Sequence, residues 1–176
     1  MMNPSVLERA ARIKLMIFDV DGVLTDGSLH YGADGEALKT FNVQDGLGIK
    51  LLQESGVQTA IISARTSQQV IRRAADLGIS HLHQGGHDKL APFHALLEKT
   101  GLTAEQVGFI GDDVVDLPIL SRVGLAVAVP NGRAEVLSRA HHVTAAHGGR
   151  GAVREVCELL MQAQGSYQRV MAQFLV

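Results

Sequence analysis

Residues 17–27, IFDVDGVLTDG, end an apolar run with two carboxylates two residues apart and turn at once through a glycine. Period-two alternation in an extended strand puts Asp19 and Asp21 on the same side of the chain. Three later apolar runs also end in polar groups: Ser63 with Arg65, then Lys89 at the opening of a helical pattern, then GDDVVD with Asp112, Asp113 and Asp116. Carboxylates gathered in this way repel one another at neutral pH and need a cation. Oxygen donors without cysteine or an evident histidine cluster favour a hard ion, magnesium. Magnesium keeps water and phosphate oxygens among its six ligands, and a lysine and a hydroxyl beside it would neutralise and bind a phosphoryl group.

The elements that must bring these residues together follow from the hydrophobic pattern. Segments 14–20, 57–63, 79–83, 107–111, 124–129 and 141–144 read as strands, several too continuously apolar to have a wet face. Amphipathic stretches at 45–55, 66–77, 87–100, 113–122 and 132–140 alternate with them, and another helix ends near Gln164. The pairs Thr66 with Gln69 and Thr103 with Gln106 match a capping box, the second opening one short turn. This alternation predicts an α/β fold, a doubly wound, Rossmann-like parallel sheet with helices on both faces, in one domain spanning 1–176. Ligands of such sheets bind beyond the carboxyl ends of the strands, where the acids, Ser63 and Lys89 fall. Residues 27–43 break the rhythm: Gly32 and Gly35 around GADG predict a β-hairpin with positive φ at both glycines, and no large cap domain. The tail, 165–176, carries Val170, Met171, Phe174, Leu175 and Val176 and should dock on this chain or another subunit.

Composition narrows the partners. Sixteen Lys and Arg against eighteen Asp and Glu give a formal charge of -2, with no basic stripe suited to nucleic acid or an anionic membrane. The N-terminal residues lack a signal-peptide pattern and no apolar run reaches membrane-spanning length, so a cytoplasmic protein is expected. The lone Cys157 sits in an apolar helical run as a buried small hydrophobe. HLHQGGH places His81, His83 and His87 close together, yet without a cysteine or further carboxylate the segment reads as a polar strand end near a substrate mouth or subunit contact.

A lone Asp-x-Asp also occurs in glycosyltransferases, and receiver domains likewise gather acids, a hydroxyl and a lysine around magnesium. In order and spacing, however, DVDGVLTD, Ser63, Lys89 and GDDVVD resemble the four signature motifs of the haloacid dehalogenase-like phosphohydrolases. The resemblance implies that Asp19 is the nucleophile, forming an aspartyl-phosphate, and that Asp21 is the general acid and base, its backbone carbonyl ligating the metal. It implies that Asp112 completes the metal site with Asp19, that Asp113 and Asp116 support it, and that Ser63 and Lys89 hold the transferring phosphoryl. The motif-two segment reads ISAR where the family more often has Thr-Gly-Arg, and Ser63 keeps the hydroxyl. Over nearly the whole chain, FNVQDGLGIKLL, SARTSQQVIRRAADLGISHLHQG and GGRGAVREVCELLMQAQG are similar to a narrower family, the bacterial 3-deoxy-D-manno-octulosonate 8-phosphate phosphatases of lipopolysaccharide precursor synthesis. That likeness implies a homotetramer and substrate contacts from Asp21, Asn42, Val43, Gln44, Asp45, Gly46, Arg65, Arg73 and Lys89, with Arg150 facing a site across an interface. Two other readings stay open: a phosphatase of nine-carbon sugar-acid phosphates, or a non-catalytic assembly module of a sugar-nucleotide synthetase.

Overall fold

The computed structural model describes residues 3–175 and contains a six-stranded sheet in the order β5-β4-β1-β6-β7-β8, every neighbouring pair parallel. Its strands are β1 (Leu15–Phe18), β4 (Gln58–Ser63), β5 (His81–Gln84), β6 (Val107–Gly111), β7 (Leu125–Ala128) and β8 (His142–Val143). Strand β1 shows why these runs have no polar face. Its Met16 and Phe18 enter one buried cluster, while Leu15 and Ile17 enter another on the opposite side of the sheet.

Helices cover both sides. Helices α1 (Pro4–Ala10), α2 (Val43–Ser55), α3 (Gln68–Leu77), α7 (Ala152–Ala163) and α8 (Tyr167–Met171) contribute to the first cluster, and α4 (Leu90–Thr100), α5 (Leu117–Leu120) and α6 (Ala134–Leu137) to the second. The expected doubly wound arrangement is therefore present. The chain adds β4 and β5 on one side of β1, then crosses to add β6, β7 and β8 on the other. Strand order thus reverses at the β1/β6 boundary, where such folds open a crevice for ligands. Register carries the motif residues to this edge: Phe18 lies beside Ile61 and Ile110, so Asp19, Ser63 and Asp112 all emerge within two residues of one line across the sheet.

Between β1 and α2 the chain forms the antiparallel hairpin β2 (His30–Gly32) and β3 (Gly35–Leu38), pairing Tyr31 with Glu36 and Gly32 with Gly35. Of the two turn glycines, only Gly35 has positive φ, at 111°; Gly32 continues the strand, correcting the expectation that both adopt it. The Thr66–Gln69 capping box does not form either. Ser67 is the N-cap of α3, and Gln69 Nε2 reaches the Ala37 carbonyl at 3.1 Å, so contact with the hairpin outcompetes a local cap. Thr103 and Gln106 do pair, the Thr103 amide donating to Gln106 Oε1 at 3.1 Å around one 3-10 turn, Ala104–Gln106.

The two shortest helices depart from their predicted lengths. The 113–122 segment begins as a 3-10 turn, Val114–Asp116, because the Asp116 carboxylate folds back onto the Asp112 and Asp113 amides. The 132–140 segment keeps only α6 as α-helix. In the tail, Val170 is buried against the α1/α2/α7 side of the sheet with Tyr167 and Met171 beside it, so this part docks on its own chain. Phe174 and Leu175 remain exposed, and Val176 lies outside the described residues. Cys157 is buried as expected, and burial pushes its thiol well above the usual range.

Asp45 has a structural task that its sequence neighbourhood did not disclose. Its buried carboxylate accepts from the Arg154 amide at 2.8 Å and the Gly151 amide at 3.3 Å, capping the start of α7 and stitching it to α2. Burial raises its pKa despite these hydrogen bonds. Asp45→Ala leaves both amides without that partner and should lower the urea-unfolding free energy by about 1–3 kcal/mol.

Candidate active site

At the carboxyl ends of β1, β4 and β6, Asp19, Asp21, Ser63, Arg65, Lys89, Asp112 and Asp113 line one cavity of about 150 Å³, with Ala64 and Val115 completing its wall. Sequence-distant residues meet there because each strand delivers its own C-terminal loop. The Asp19 amide donates to the Ile110 carbonyl at 3.1 Å, extending the β1/β6 pairing one residue and fixing the carboxylate's origin. Gly22 then turns the chain with φ of 90°, and a Cβ there would lie 2.1 Å from Asp112 Oδ2, so only glycine lets the first loop pass this close to the fourth-motif acid.

Lys89 is the hub of the buried charges. It precedes α4, is 2 % exposed, and sets Nζ 2.9 Å from Asp19 Oδ1 and 2.6 Å from Asp116 Oδ1. Burial alone would lower its pKa, but the charges of Asp19 and Asp116 outweigh that and raise it, keeping the ammonium protonated. The other oxygen of Asp116 accepts from the Asp112 amide at 2.9 Å and the Asp113 amide at 3.3 Å. Asp116 is therefore spent on holding Lys89 and the GDDVVD loop.

Asp19 and Asp112 are left facing each other across the cavity. Burial and then the charge of Asp116 push Asp19 up to about 7. Burial, then Asp19, Asp116 and Asp113, push Asp112 up to about 8. One carboxylate oxygen from each of Asp19, Asp112 and Asp116 lies within 4.8 Å of the others, which fits a divalent cation. With Asp116 engaged, Asp19 and Asp112 are the free donors. Carboxylates held this close and this dry suit a hard cation, which would restore their charged forms.

Two residues absent from the sequence reading stand over Asp21. The hairpin brings Lys39 into an ion pair with Asp21 Oδ1 and places Glu36 Oε2 3.2 Å from the Lys39 ammonium and 3.0 Å from Arg65 Nη2. Arg65 Nε lies 3.6 Å from Asp21 Oδ2. The available signal was a Glu-x-x-Lys spacing inside the segment read as a hairpin inserted after the first strand. Asn131 is a third: its Nδ2 donates to the Gly22 carbonyl at 2.9 Å, and its Oδ1 accepts from the Gly148 amide at 2.9 Å, clamping two site loops together. A Cβ on Gly148 would lie 1.7 Å from the Gly22 carbonyl oxygen.

Other expected site residues lie outside the cavity. Asn42 caps α2, accepting from the Gln44 amide at 2.7 Å and the Asp45 amide at 3.2 Å, while the side chains of Val43 and Gln44 face solvent. Arg73 donates to the Asn42 carbonyl at 3.1 Å and stacks over Phe41 at 5.6 Å, and a Cβ on Gly46 would meet its guanidinium at 2.2 Å. Arg73 thus braces the joint between hairpin and α2. Arg150 is exposed, 3.7 Å from Asp26. His81 and His83 line a separate cleft between β5 and α4, with Lys99 and Pro92, away from the acids. His81 and His83 therefore do not sit at the site mouth, which leaves a subunit contact as the other expectation for this segment.

A model described as haloacid dehalogenase-like hydrolase matches residues 79–156. The 3-deoxy-D-manno-octulosonate 8-phosphate phosphatase KdsC of Salmonella typhimurium is 47% identical over 172 residues, covering 98% of this chain and 92% of that protein. The chain belongs to the haloacid dehalogenase-like phosphatases, in the family of these relatives. A solved structure of a probable phosphatase from Pseudomonas syringae superposes on this phosphatase with a TM-score of 0.97 at 50% identity, covering 99% of each chain. The 3-deoxy-D-manno-octulosonate 8-phosphate phosphatase of Moraxella catarrhalis, solved with a magnesium ion, a phosphate ion and KDO, gives a TM-score of 0.95 at 42% identity, covering 98% of this chain and 99% of that one. No helix among the described residues of this phosphatase is long and apolar enough to cross a membrane.

Proposed function

We propose that this phosphatase is a magnesium-dependent phosphomonoester hydrolase that cleaves 3-deoxy-D-manno-octulosonate 8-phosphate through an aspartyl-phosphate, in lipopolysaccharide precursor synthesis in the cytoplasm. The observation that carries the reading is the Lys89 bridge between Asp19 and Asp116, which pins Oδ1 of Asp19 while Asp19 lines the cavity together with Asp112. Asp19 and Asp112, with the Asp21 carbonyl, would hold the ion, whose charge would offset that of the carboxylates and of the phosphoryl oxygens. Asp19 attacks phosphorus, Asp21 protonates the leaving oxygen and then takes a proton from the attacking water, and Ser63 and Lys89 hold the phosphoryl oxygens. Arg65 at the rim supplies a cation for the carboxylate of a sugar acid.

In this reading Asn42, Val43 and Gln44, at the start of α2, serve a neighbouring subunit's site, as does Arg150, while Asp45, Gly46 and Arg73, packed within their own chain, shape that start rather than touch substrate. Support for assembly comes from Leu29, Tyr31, Leu38, Val43 and Leu47, apolar side chains left exposed on the hairpin and the first turns of α2. A homotetramer joined through the hairpins would cover them and close the open cavity mouths. The chain in this reading is one domain, with the 27–43 hairpin in place of a cap and the 165–176 tail packed alongside.

Phosphate release from a panel of sugar phosphates, with and without magnesium and at high and low enzyme concentration, tests the whole proposal. The eight-carbon substrate should be preferred, activity should require magnesium, and selectivity should fall on dilution. A preference for the nine-carbon phosphate would reassign the substrate, and no turnover with any of the panel would favour an assembly module.

A further inference from the structure

Lys39 belongs to none of the four motifs, yet its side chain is 1 % exposed, ion-paired with Asp21 Oδ1 and 3.2 Å from Glu36 Oε2. It directly follows β3 of the hairpin. A ribbon of strands three and four residues long is not stable by itself, so contacts with the body must seat it. Those contacts are polar: Glu36 accepts from Arg65 Nη2 at 3.0 Å and from Ser67 Oγ at 2.8 Å, and Gln69 Nε2 donates to the Ala37 carbonyl at 3.1 Å. They latch β3 to the turn after β4 and to the first turn of α3 and deliver the lysine over the carboxyl end of β1.

The charged partners of the Asp21 carboxylate among the described residues are Lys39 and Arg65. The Arg65 side chain is 40 % exposed, and its Nε, 3.6 Å from Asp21 Oδ2, makes no hydrogen bond. Lys39 is therefore the tighter constraint on Asp21. Glu36 pairs with both cations, so their charge is partly balanced before either reaches Asp21.

We infer that Lys39 is a positioning residue for Asp21: delivered by the hairpin, its ammonium holds the Asp21 carboxyl in the orientation that protonates the leaving oxygen. The inference rests on the proposed role of Asp21 as general acid. As the bond from Asp19 to phosphorus forms and the bond from phosphorus to the sugar oxygen breaks, the Asp21 proton passes to that oxygen, which departs as an alcohol. Lys39 exchanges no proton in the step. Its contribution is geometric, confining a side chain that would otherwise sample several rotamers beside the Gly22 turn.

The experiment compares Lys39→Met and Lys39→Arg on two substrates, an alkyl sugar phosphate and p-nitrophenyl phosphate, through kcat/KM, which reports steps up to departure of the leaving group. An alkoxide needs the proton, whereas nitrophenolate leaves without it. Lys39→Met should lose about 10–100-fold on the sugar phosphate and about threefold or less on the nitrophenyl ester, with Lys39→Arg recovering most of the difference. The ratio between substrates does not depend on the fraction of enzyme folded. Equal losses on both substrates, or no recovery with arginine, overturn the inference. Asp21→Asn measured alongside separates the two levels. If its loss does not depend on the leaving group, the general-acid reading falls and this inference with it. If that loss does depend on the leaving group while that of Lys39→Met does not, Lys39 alone is rejected.

Discussion

Asp19→Asn abolishes phosphate release, lowering turnover by at least about 10⁴-fold, because an amide does not attack phosphorus in place of the carboxylate. The same substitution should stabilise the metal-free protein near neutral pH. Asp19 is buried, crowded by Asp116 and titrates at about 7 rather than near its ordinary value of 3.8. At pH 7.5 it therefore bears a charge that the fold opposes, and the neutral amide removes it while still accepting a hydrogen bond from Lys89. A melting temperature a few degrees above that of the unsubstituted protein, measured in chelator, is expected together with the lost activity. Residual turnover within tenfold of the original would refute the nucleophile assignment.

Magnesium should raise the melting temperature, and raise it more at pH 8 than at pH 6. Asp19 at about 7 and Asp112 at about 8 both titrate above their unfolded value of 3.8. Between about pH 4 and pH 8 these two groups thus bind more protons in the folded chain than in the unfolded one, and their contribution to metal-free stability falls as pH rises through that window. A divalent cation at Asp19 and Asp112 competes with those protons, so binding tightens as they are lost. At a hundredfold excess over its dissociation constant, a ligand specific to the folded state adds about 2.7 kcal/mol. For a chain of this length that corresponds to about 5–10 °C. Thermal melts with and without magnesium at the two pH values measure the difference, and Asp112→Asn should remove most of it. An equal shift at both pH values would contradict a site built on these two carboxylates.

The site was legible to the extent that its residues end strands. A parallel sheet aligns strand ends, so Asp19, Ser63 and Asp112 could be assigned to one edge before any coordinates, and the register beside Phe18 brings them there. Residues that act through side chains crossing between elements were not legible. Lys39 reaches Asp21 only because β3 docks on Ser67 and Gln69, a contact that also displaced the expected Thr66 cap. Asn131 reads as a loop residue until its two hydrogen bonds to Gly22 and Gly148 are seen. Asp45 sits in a run assigned by likeness to substrate binding, yet its carboxylate caps α7 more than a hundred residues away.

The sequence by itself determined the sheet, its parallel sense, the hairpin insertion and the group of acids, hydroxyl and lysine at the strand ends. All of these follow from local periodicity and from the order of the motifs. Only the tertiary structure decided how the charges divide their work. It committed Asp116 to Lys89 and the backbone, left Asp19 and Asp112 facing each other, and set Lys39 over Asp21. The physical reason is that ion pairing and burial depend on distances of a few ångströms between segments far apart in the chain. Those distances are fixed by packing, which no local pattern encodes.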